Sequence, residues 1–324
     1  MTQTFEHEVV IIGAGPAGMC AAMYAGRSML NAVTLERGFP GGELLNTELI
    51  EDYPGFEHVL GTELAQKFAD HATKFGAQIK TGVNVTSIRK CDDGMFETKA
   101  EGGDVYVSPA VIITAGGTPV KLGVPGELEY AGKGVSYCAI CDGAFFKNHT
   151  IAVVGGGDAA AEEADFLTRY AEKVYLIHRR NELRASKILQ RRALDNPKIE
   201  PIWDTVVERV AGDGKGLMES LKLRNVKTGA ARDLAATGLF VFIGFRPNTG
   251  IIQGHVDHDE MGYLKTDANM QTSIPGLFAA GDLRAQLTRQ VTTAVGDATT
   301  AAIAAEKYLK AMRDRGVRDG GVAA

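Results

Sequence analysis

Val9-Val10-Ile11-Ile12-Gly13-Ala14-Gly15-Pro16-Ala17-Gly18 decides the fold. Its first four residues are β-branched and apolar without a break, the pattern of a short strand buried on both faces, as in a parallel sheet. The glycines then follow at a fixed spacing. Gly13 permits a tight turn, Gly15 lets the backbone approach a pyrophosphate, and Gly18 lets the next helix pack closely on the strand. Residues 19–27 read as that helix, and Ala32-Val33-Thr34-Leu35 reads as a second strand ending at Glu36. The helix N-terminus offers N–H groups and a partial positive charge to an anion.

The same order recurs downstream. Ile151-Ala152-Val153-Val154 precedes Gly155-Gly156-Gly157-Asp158-Ala159-Ala160; residues 161–169 read as a helix; Lys173-Val174-Tyr175-Leu176-Ile177 reads as a strand ending at His178. Glu36 follows Gly13 by the same 23 positions that separate His178 from Gly155. A single glycine fingerprint is weak evidence. Two, each with strand, loop, helix and strand in register, outweigh the alternative of two tight turns without a ligand. The expected fold class is α/β, with two Rossmann-like dinucleotide-binding domains.

The residue after the second strand separates the two ligands. Glu36 can accept hydrogen bonds from ribose hydroxyls and repels a 2′-phosphate. His178-Arg179-Arg180, with Arg184 four residues on, places three guanidinium groups near the equivalent position. Guanidinium makes planar, charge-assisted contacts with phosphate oxygens. The first unit therefore reads as an FAD site and the second as an NADPH site; a solvated face is the competing reading of the arginines. A third stretch, Ser273-Ile274-Pro275-Gly276-Leu277-Phe278-Ala279-Ala280-Gly281-Asp282, reads as a turn, a short strand and a carboxylate able to hold a ribitol hydroxyl.

Cys138-Ala139-Ile140-Cys141 has the spacing of a reducible disulfide, a setting in which one thiol often has a low pKa. Asp142 follows at once and can shuttle the proton that disulfide exchange requires; its competing reading is an exposed turn residue before Gly143. Structural zinc needs four ligands, usually from two such knuckles. Cys20 and Cys91 supply no second knuckle and read as small buried residues, and the histidines other than His178 (His7, His58, His71, His149, His255, His258) form no convincing metal spacing. No metal site is expected. Trp203 reads as a packing residue.

With 324 residues the chain has room for two domains, and its 45% hydrophobic and 23% charged content is ordinary for a globular protein. A net charge of −5 does not suggest nucleic-acid or anionic-lipid binding. No apolar run reaches the roughly 18 residues of a membrane span, and the first residues lack a signal-peptide pattern. Four cysteines are too few for a disulfide scaffold of this length. A cytoplasmic location is the expectation.

These motifs in this order resemble the low-molecular-weight bacterial-type thioredoxin reductases over essentially the whole chain. The matching signatures are Gly13-x-Gly15-Pro16-Ala17-Gly18, Pro40-Gly41-Gly42-Glu43-Leu44, Cys138-Ala139-Ile140-Cys141-Asp142-Gly143, Gly155-Gly156-Gly157-Asp158-x-Ala160-x-Glu162-Glu163-Ala164, His178-Arg179-Arg180-x-x-x-Arg184-Ala185, Gly281-Asp282 and Arg289-Gln290. The resemblance implies an FAD domain split in sequence, residues 1–117 and 246–324, around an inserted NADPH domain, residues 118–245, that also carries the redox pair. It implies that Cys141 lies nearer the flavin, that Cys138 attacks the partner's disulfide and that Asp142 supplies the proton. It adds Arg37, Gly41, Gly42, Glu43, Leu44, Asn46, Val85, Gly116, Arg289, Gln290 and Val291 to the FAD site, and Ala159 to the NADPH loop. Thioredoxin is the implied partner and a homodimer the implied assembly.

The chain departs from the family pattern at three places. Glu43 stands where Gln is usual, Thr114-Ala115-Gly116 replaces Ala-Thr-Gly, and Thr288 stands where Tyr is frequent. Other readings remain open: a reductase of a glutaredoxin-like or peroxide-reducing partner, a flavodoxin or ferredoxin reductase, which would not need Cys138 and Cys141, or a redox sensor that binds nucleotides without turnover.

Overall fold

A computed structural model describes residues 2–47, 49–212, 214 and 216–319, with side chains at all of these except 49, 141, 245 and 315–319. The chain divides into two compact units, Met1–Thr118 with Arg246–Ala324, and Pro119–Phe245.

In the first unit a five-stranded sheet runs, in spatial order, Leu277–Ala279, Ala110–Ile113, Val9–Ile12, Ala32–Leu35, Gln78–Lys80. Every neighbouring pair is parallel. The continuous apolar runs explain this: Val9, Val10 and Ile11 are fully buried, and so are Ala110 to Ile113, because both faces of the sheet are covered. One face packs on the helices Pro16–Arg27 and Val291–Asp319 through alanines, Cys20 and Phe278. The other packs against Ile88, Phe96 and Tyr106 of a four-stranded sheet formed by Thr4–Glu6, Val105–Ser108, Phe96–Ala100 and Val85–Lys90. The register sets Ile12 beside Leu35 and Ile113, and Ile113 beside Ala279. Gly13, Glu36, Thr114 and the Ala280-Gly281-Asp282 turn therefore leave the sheet along one edge, at the carboxyl ends of its strands, where ligands of open α/β sheets bind.

The second unit repeats the plan. Its parallel sheet runs Val135–Ser136, Gly238–Phe242, Thr150–Gly155, Lys173–Ile177, Ile199–Ile202. Helices Asp158–Leu167 and Lys187–Asp195 cover one face, and a three-stranded antiparallel sheet (Thr205–Gly212, Met218–Asn225, Ala231–Ala235) covers the other. Ser136 pairs with Phe240, and Gly155 with Phe242. The redox turn and the second glycine loop thus emerge at the same edge, two strand positions apart, or about 10 Å at normal strand spacing. The fold class is the α/β, doubly nucleotide-type one read from sequence. The mixed four-stranded sheet of the first unit and the antiparallel three-stranded sheet of the second were not part of that reading.

Candidate redox and nucleotide sites

Gly13 has φ +97°, and a Cβ there would lie 2.7 Å from the Thr114 carbonyl oxygen, so only glycine fits the turn. Gly18 is held as closely, 1.8 Å from the Gly13 oxygen by the same construction, whereas Gly15 is open apart from Gly42 at 3.8 Å. The second loop shows the same contrast. A Cβ on Gly156 would collide with the His178 ring at 2.1 Å, while Gly157 has nothing within 4 Å. Each loop is thus tight where it meets its own fold and open at the second motif glycine, where a phosphate would lie. Helix Pro16–Arg27 begins at Gly15 and helix Asp158–Leu167 at Gly157, both without a side-chain cap. Their first N–H groups remain available to an anion. Both loops fit a dinucleotide.

Around the first loop, Glu36 accepts the Ala14 N–H at 2.7 Å through Oε2 and the Gly38 N–H at 2.8 Å through Oε1. This fixes the carboxylate at the ribose-reading position with lone pairs to spare. The Gly41 N–H donates to the Ala14 oxygen at 2.8 Å, laying the Gly42–Asn46 turn over the loop, with Leu44 buried beneath it. Arg37 is exposed. Glu43 is accessible but hemmed in: desolvation raises its carboxyl pKa, the hydrogen bond from Asn46 lowers it, Asp282 raises it, and Arg37 opposes. Burial likewise raises Asp282, against Arg289 and with Asp297. The structure thus brings Glu43, Asp282, Arg37 and Arg289 into one electrostatic neighbourhood. Arg289 also lies over the Tyr263 ring at 4.0 Å, and the Gln290 N–H, just before the helix that starts at Val291, donates to Thr293 Oγ1 at 3.1 Å. Val85 sits in the core beside Ile88, with its side chain turned away from solvent. Gly116, at φ +55°, accepts the Asn248 N–H at 3.0 Å. Departure Thr114 has a clear role: its hydroxyl reaches the Ile12 and Gly13 oxygens, both at 2.8 Å, locking the loop from below.

Around the second loop, the Arg184 N–H donates to the Gly156 oxygen at 2.6 Å and the Ser186 N–H to Asp158 Oδ1 at 2.6 Å. The segment carrying Arg184 therefore folds back onto the loop. Arg179, Arg180 and Arg184 are all exposed, as Asp158 is, while Ala159 follows on the helix. His178 is 6% exposed, hydrogen-bonds the Gly155 backbone, and leaves Nε2 without a partner. Desolvation lowers its pKa first, and the fields of Arg184, Arg179 and Arg180 lower it further against the Gly155 bond. Burial and the positive fields of three arginines thus both disfavour a charge on this imidazole beside the loop.

Cys138 is half-buried and disulfide-bonded. Ser136, itself buried, brackets it: Oγ accepts the Cys138 N–H and donates to the Cys138 oxygen, each at 3.1 Å. The short helix Ala139–Asp142 follows, with the Asp142 N–H reaching the Cys138 oxygen at 3.3 Å. The side chain of Cys141 lies outside the described residues. Cys20 is a buried free thiol bonded to the Val295 oxygen, and burial raises its pKa. Cys91 is free but only half-buried, which corrects the expectation that it is a core residue: it sits in the turn after strand Val85–Lys90 rather than inside the sheet. Among the described residues no cluster of three or more His, Cys, Asp or Glu could hold a metal, and no helix is long and apolar enough to cross a membrane.

The sequence reading missed a second layer of residues. Asp297 accepts the Gly281 N–H at 3.2 Å and pairs with Arg284 at 2.6 Å, both side chains being nearly inaccessible. Arg284 also donates to Gln286, which returns a hydrogen bond to the Gly281 oxygen. Both backbone groups of Gly281, next to Asp282, are thereby held. One signal was present: a lone aspartate in the apolar run Ala294-Val295-Gly296-Asp297-Ala298 demands a buried partner. Asn248, whose amide reaches the Ala115 oxygen at 2.7 Å, carried no comparable mark.

The family model for pyridine nucleotide-disulphide oxidoreductases matches residues 7–298. The thioredoxin reductase of Listeria innocua is 46% identical over 309 residues, 95% of each chain. The crystal structure of Lactococcus lactis thioredoxin reductase has a TM-score of 0.90 at 45% identity, covering 94% of this chain and 99% of that one; that of T. acidophilum thioredoxin reductase scores 0.88 at 36%, covering 95% and 99%. The matched class uses FAD and NADPH, the two ligands read from the residues after each second strand. With two nucleotide loops, a disulfide at the edge of the second sheet, and relatives matched over nearly their full length, the chain belongs to the pyridine nucleotide-disulphide oxidoreductases and, within them, to the thioredoxin reductases.

Proposed function

We propose that this chain reduces the disulfide of a thioredoxin with electrons from NADPH, with FAD at the Gly13 loop and NADPH at the Gly155 loop. The observation that carries the reading is the disulfide-bonded Cys138 at the same sheet edge as the second glycine loop. FAD, when bound, supplies an acceptor for a hydride and a donor of electrons to a disulfide. Gly15 and the uncapped first turn of helix Pro16–Arg27 hold the pyrophosphate, Glu36 the ribose, and Asp282 the ribitol. The Pro40–Leu44 turn and Arg289-Gln290 would complete the flavin site. Gly157 and the uncapped helix Asp158–Leu167 hold the second pyrophosphate, and Arg179, Arg180 and Arg184 the 2′-phosphate.

The exchange chemistry falls to the redox turn. Once the disulfide is reduced, the Cys138 thiolate attacks one sulfur of the partner's disulfide and a mixed disulfide forms. The other partner sulfur leaves as a thiolate and takes a proton. Cys141 then attacks Cys138, restores the intramolecular disulfide and releases the second partner thiolate. Asp142 supplies and removes the protons. Thioredoxin as the partner is supported by what the relatives are called; a homodimer and a cytoplasmic location are supported by the family pattern.

Steady-state oxidation of NADPH by purified yellow protein, run against a panel of thioredoxins and glutaredoxins, tests the reading. Turnover with a thioredoxin, abolished by Cys138→Ser, is expected. Turnover with glutaredoxins alone would reassign the partner. Thioredoxin turnover that survives Cys138→Ser would refute the relay.

A further inference from the structure

Glu127 is 1% exposed, yet it takes no part in the chemistry above. Its Oε1 accepts the Leu122 N–H at 2.8 Å and the Tyr137 hydroxyl at 2.8 Å, and its Oε2 accepts the Gly123 N–H at 2.6 Å. Three neutral donors satisfy it, and no Lys, Arg or His forms an ion pair with it among the described residues. Burying a carboxylate without a cationic partner is expensive, and a residue of this kind needs a role that offsets the cost. The places it ties together suggest one. Tyr137 immediately precedes Cys138. Leu122 and Gly123 follow Val120, whose N–H donates to the Gly244 oxygen at 2.8 Å, beside the point where the chain leaves the second unit.

The neighbouring groups agree with a strong contact. Burial raises the Tyr137 hydroxyl pKa, and the hydrogen bond to Glu127 and its negative charge raise it further. Tyr137 therefore stays a donor throughout the working range. Lys121 Nζ lies 5.9 Å from the centre of the Tyr137 ring. The backbone N–H and C=O of Cys138 itself are held by Ser136 Oγ. Between these two residues the Tyr137 side chain has the Glu127 carboxylate as its polar anchor.

We propose that Glu127 is a positioning residue for the redox pair: through Tyr137 it holds the backbone before Cys138 in the geometry that favours the disulfide, and through Leu122-Gly123 it couples that geometry to the segment entering the second unit. The inference rests on the proposed redox role of Cys138. Loosening the anchor lowers the effective concentration of one sulfur for the other, so the closed disulfide loses ground to the dithiol.

The test uses the full-length holoenzyme and its Tyr137→Phe, Glu127→Gln and double variants. Each is equilibrated in oxidised and reduced dithiothreitol mixtures, and the Cys138 thiol is quantified by alkylation and mass spectrometry. Each single variant should shift the equilibrium constant at least threefold toward the dithiol, and the double variant should shift it no further than the larger single effect. Turnover with thioredoxin should fall in kcat while the KM for NADPH stays within a factor of two, a split that general destabilisation would not give. If Glu127→Gln does not fold, Tyr137→Phe, which removes one hydroxyl, decides alone. Folded variants with an unchanged equilibrium constant overturn the proposal. A wild-type Cys138 that dithiothreitol cannot reduce would instead overturn the redox role itself.

Discussion

In the function proposed above, Glu36 and His178, at equivalent positions, divide the work of recognition by charge. The Glu36 carboxylate is fixed by two backbone N–H groups and faces any incoming ribose with negative potential. Burial and the fields of Arg184, Arg179 and Arg180 disfavour a charge on His178, which leaves the guanidinium groups to supply the positive charge near that position. A charge-assisted hydrogen bond contributes roughly 1.5–3 kcal/mol, so losing two corresponds to about two to four decades in an equilibrium or rate ratio. Arg179→Ala/Arg180→Ala should therefore lower kcat/KM for NADPH by that factor and leave NADH nearly unaffected. Comparing the two coenzymes in steady state checks this, and an unchanged preference for NADPH would reject the assignment. The residue types were legible because each carries its chemistry in its own side chain. What was hidden is how Arg184 comes home: backbone bonds from Arg184 and Ala185 to the Gly156 oxygen fold the segment back, and no sequence spacing announces them.

Strands with unbroken apolar runs, such as Val9–Ile12 and Ala110–Ile113, were open to reading because a parallel strand buried on both faces cannot alternate. Strand Val85–Lys90 is half-buried and interrupted by a register shift, and it pairs with a strand after a short turn; that weak, locally ambiguous pattern left its four-stranded sheet unread. The helix Val291–Asp319 hides a different feature. It contributes the Asp297 carboxylate, 13 residues after Arg284, and only the folded turn makes them partners. Removing one member leaves a buried charge uncompensated, at a cost of about 3–5 kcal/mol, whereas replacing both with apolar groups is often close to neutral. Arg284→Met should accordingly lower the denaturant midpoint sharply and loosen flavin, because Asp297 and Gln286, which hold Gly281 next to Asp282, lose their shared partner. The Arg284→Met/Asp297→Leu double variant should recover much of the stability but not the flavin affinity. Chemical unfolding and flavin release measured on the same samples distinguish the two effects; a single variant as stable as the wild type would show that the pair is not a clamp.

At the scale of the whole molecule, the distribution of parts between units sets a demand on motion. The Gly13 loop, Glu36 and Asp282 belong to one unit; Cys138, the Gly155 loop and its arginines belong to the other. The second unit thus carries both the source of electrons and their exit, and each must reach the same cofactor by close approach. Cys138 must in addition open to a protein partner, which a disulfide engaged with a cofactor does not allow. One rigid arrangement does not meet three such demands, whereas two states related by a hinge do. The chain supplies suitable crossings. Gly117–Pro119 and Phe245–Pro247 pair as a two-stranded ribbon, flanked by Gly116 at φ +55° and Gly244 at φ +116°. A Cβ at either glycine would meet nothing within 4 Å, so the positive φ values, not crowding, call for glycine there, and the same freedom lets the backbone absorb a rotation. Disulfide cross-links between engineered surface cysteines, one on each unit, can hold a chosen orientation. Each lock should preserve at most one half-reaction in stopped-flow absorbance, either flavin reduction by NADPH or flavin reoxidation through the Cys138 disulfide, and reducing the cross-link should restore turnover. A locked protein that still turns over thioredoxin at the full rate would show that a single arrangement suffices and that the crossing glycines serve only the turns they form.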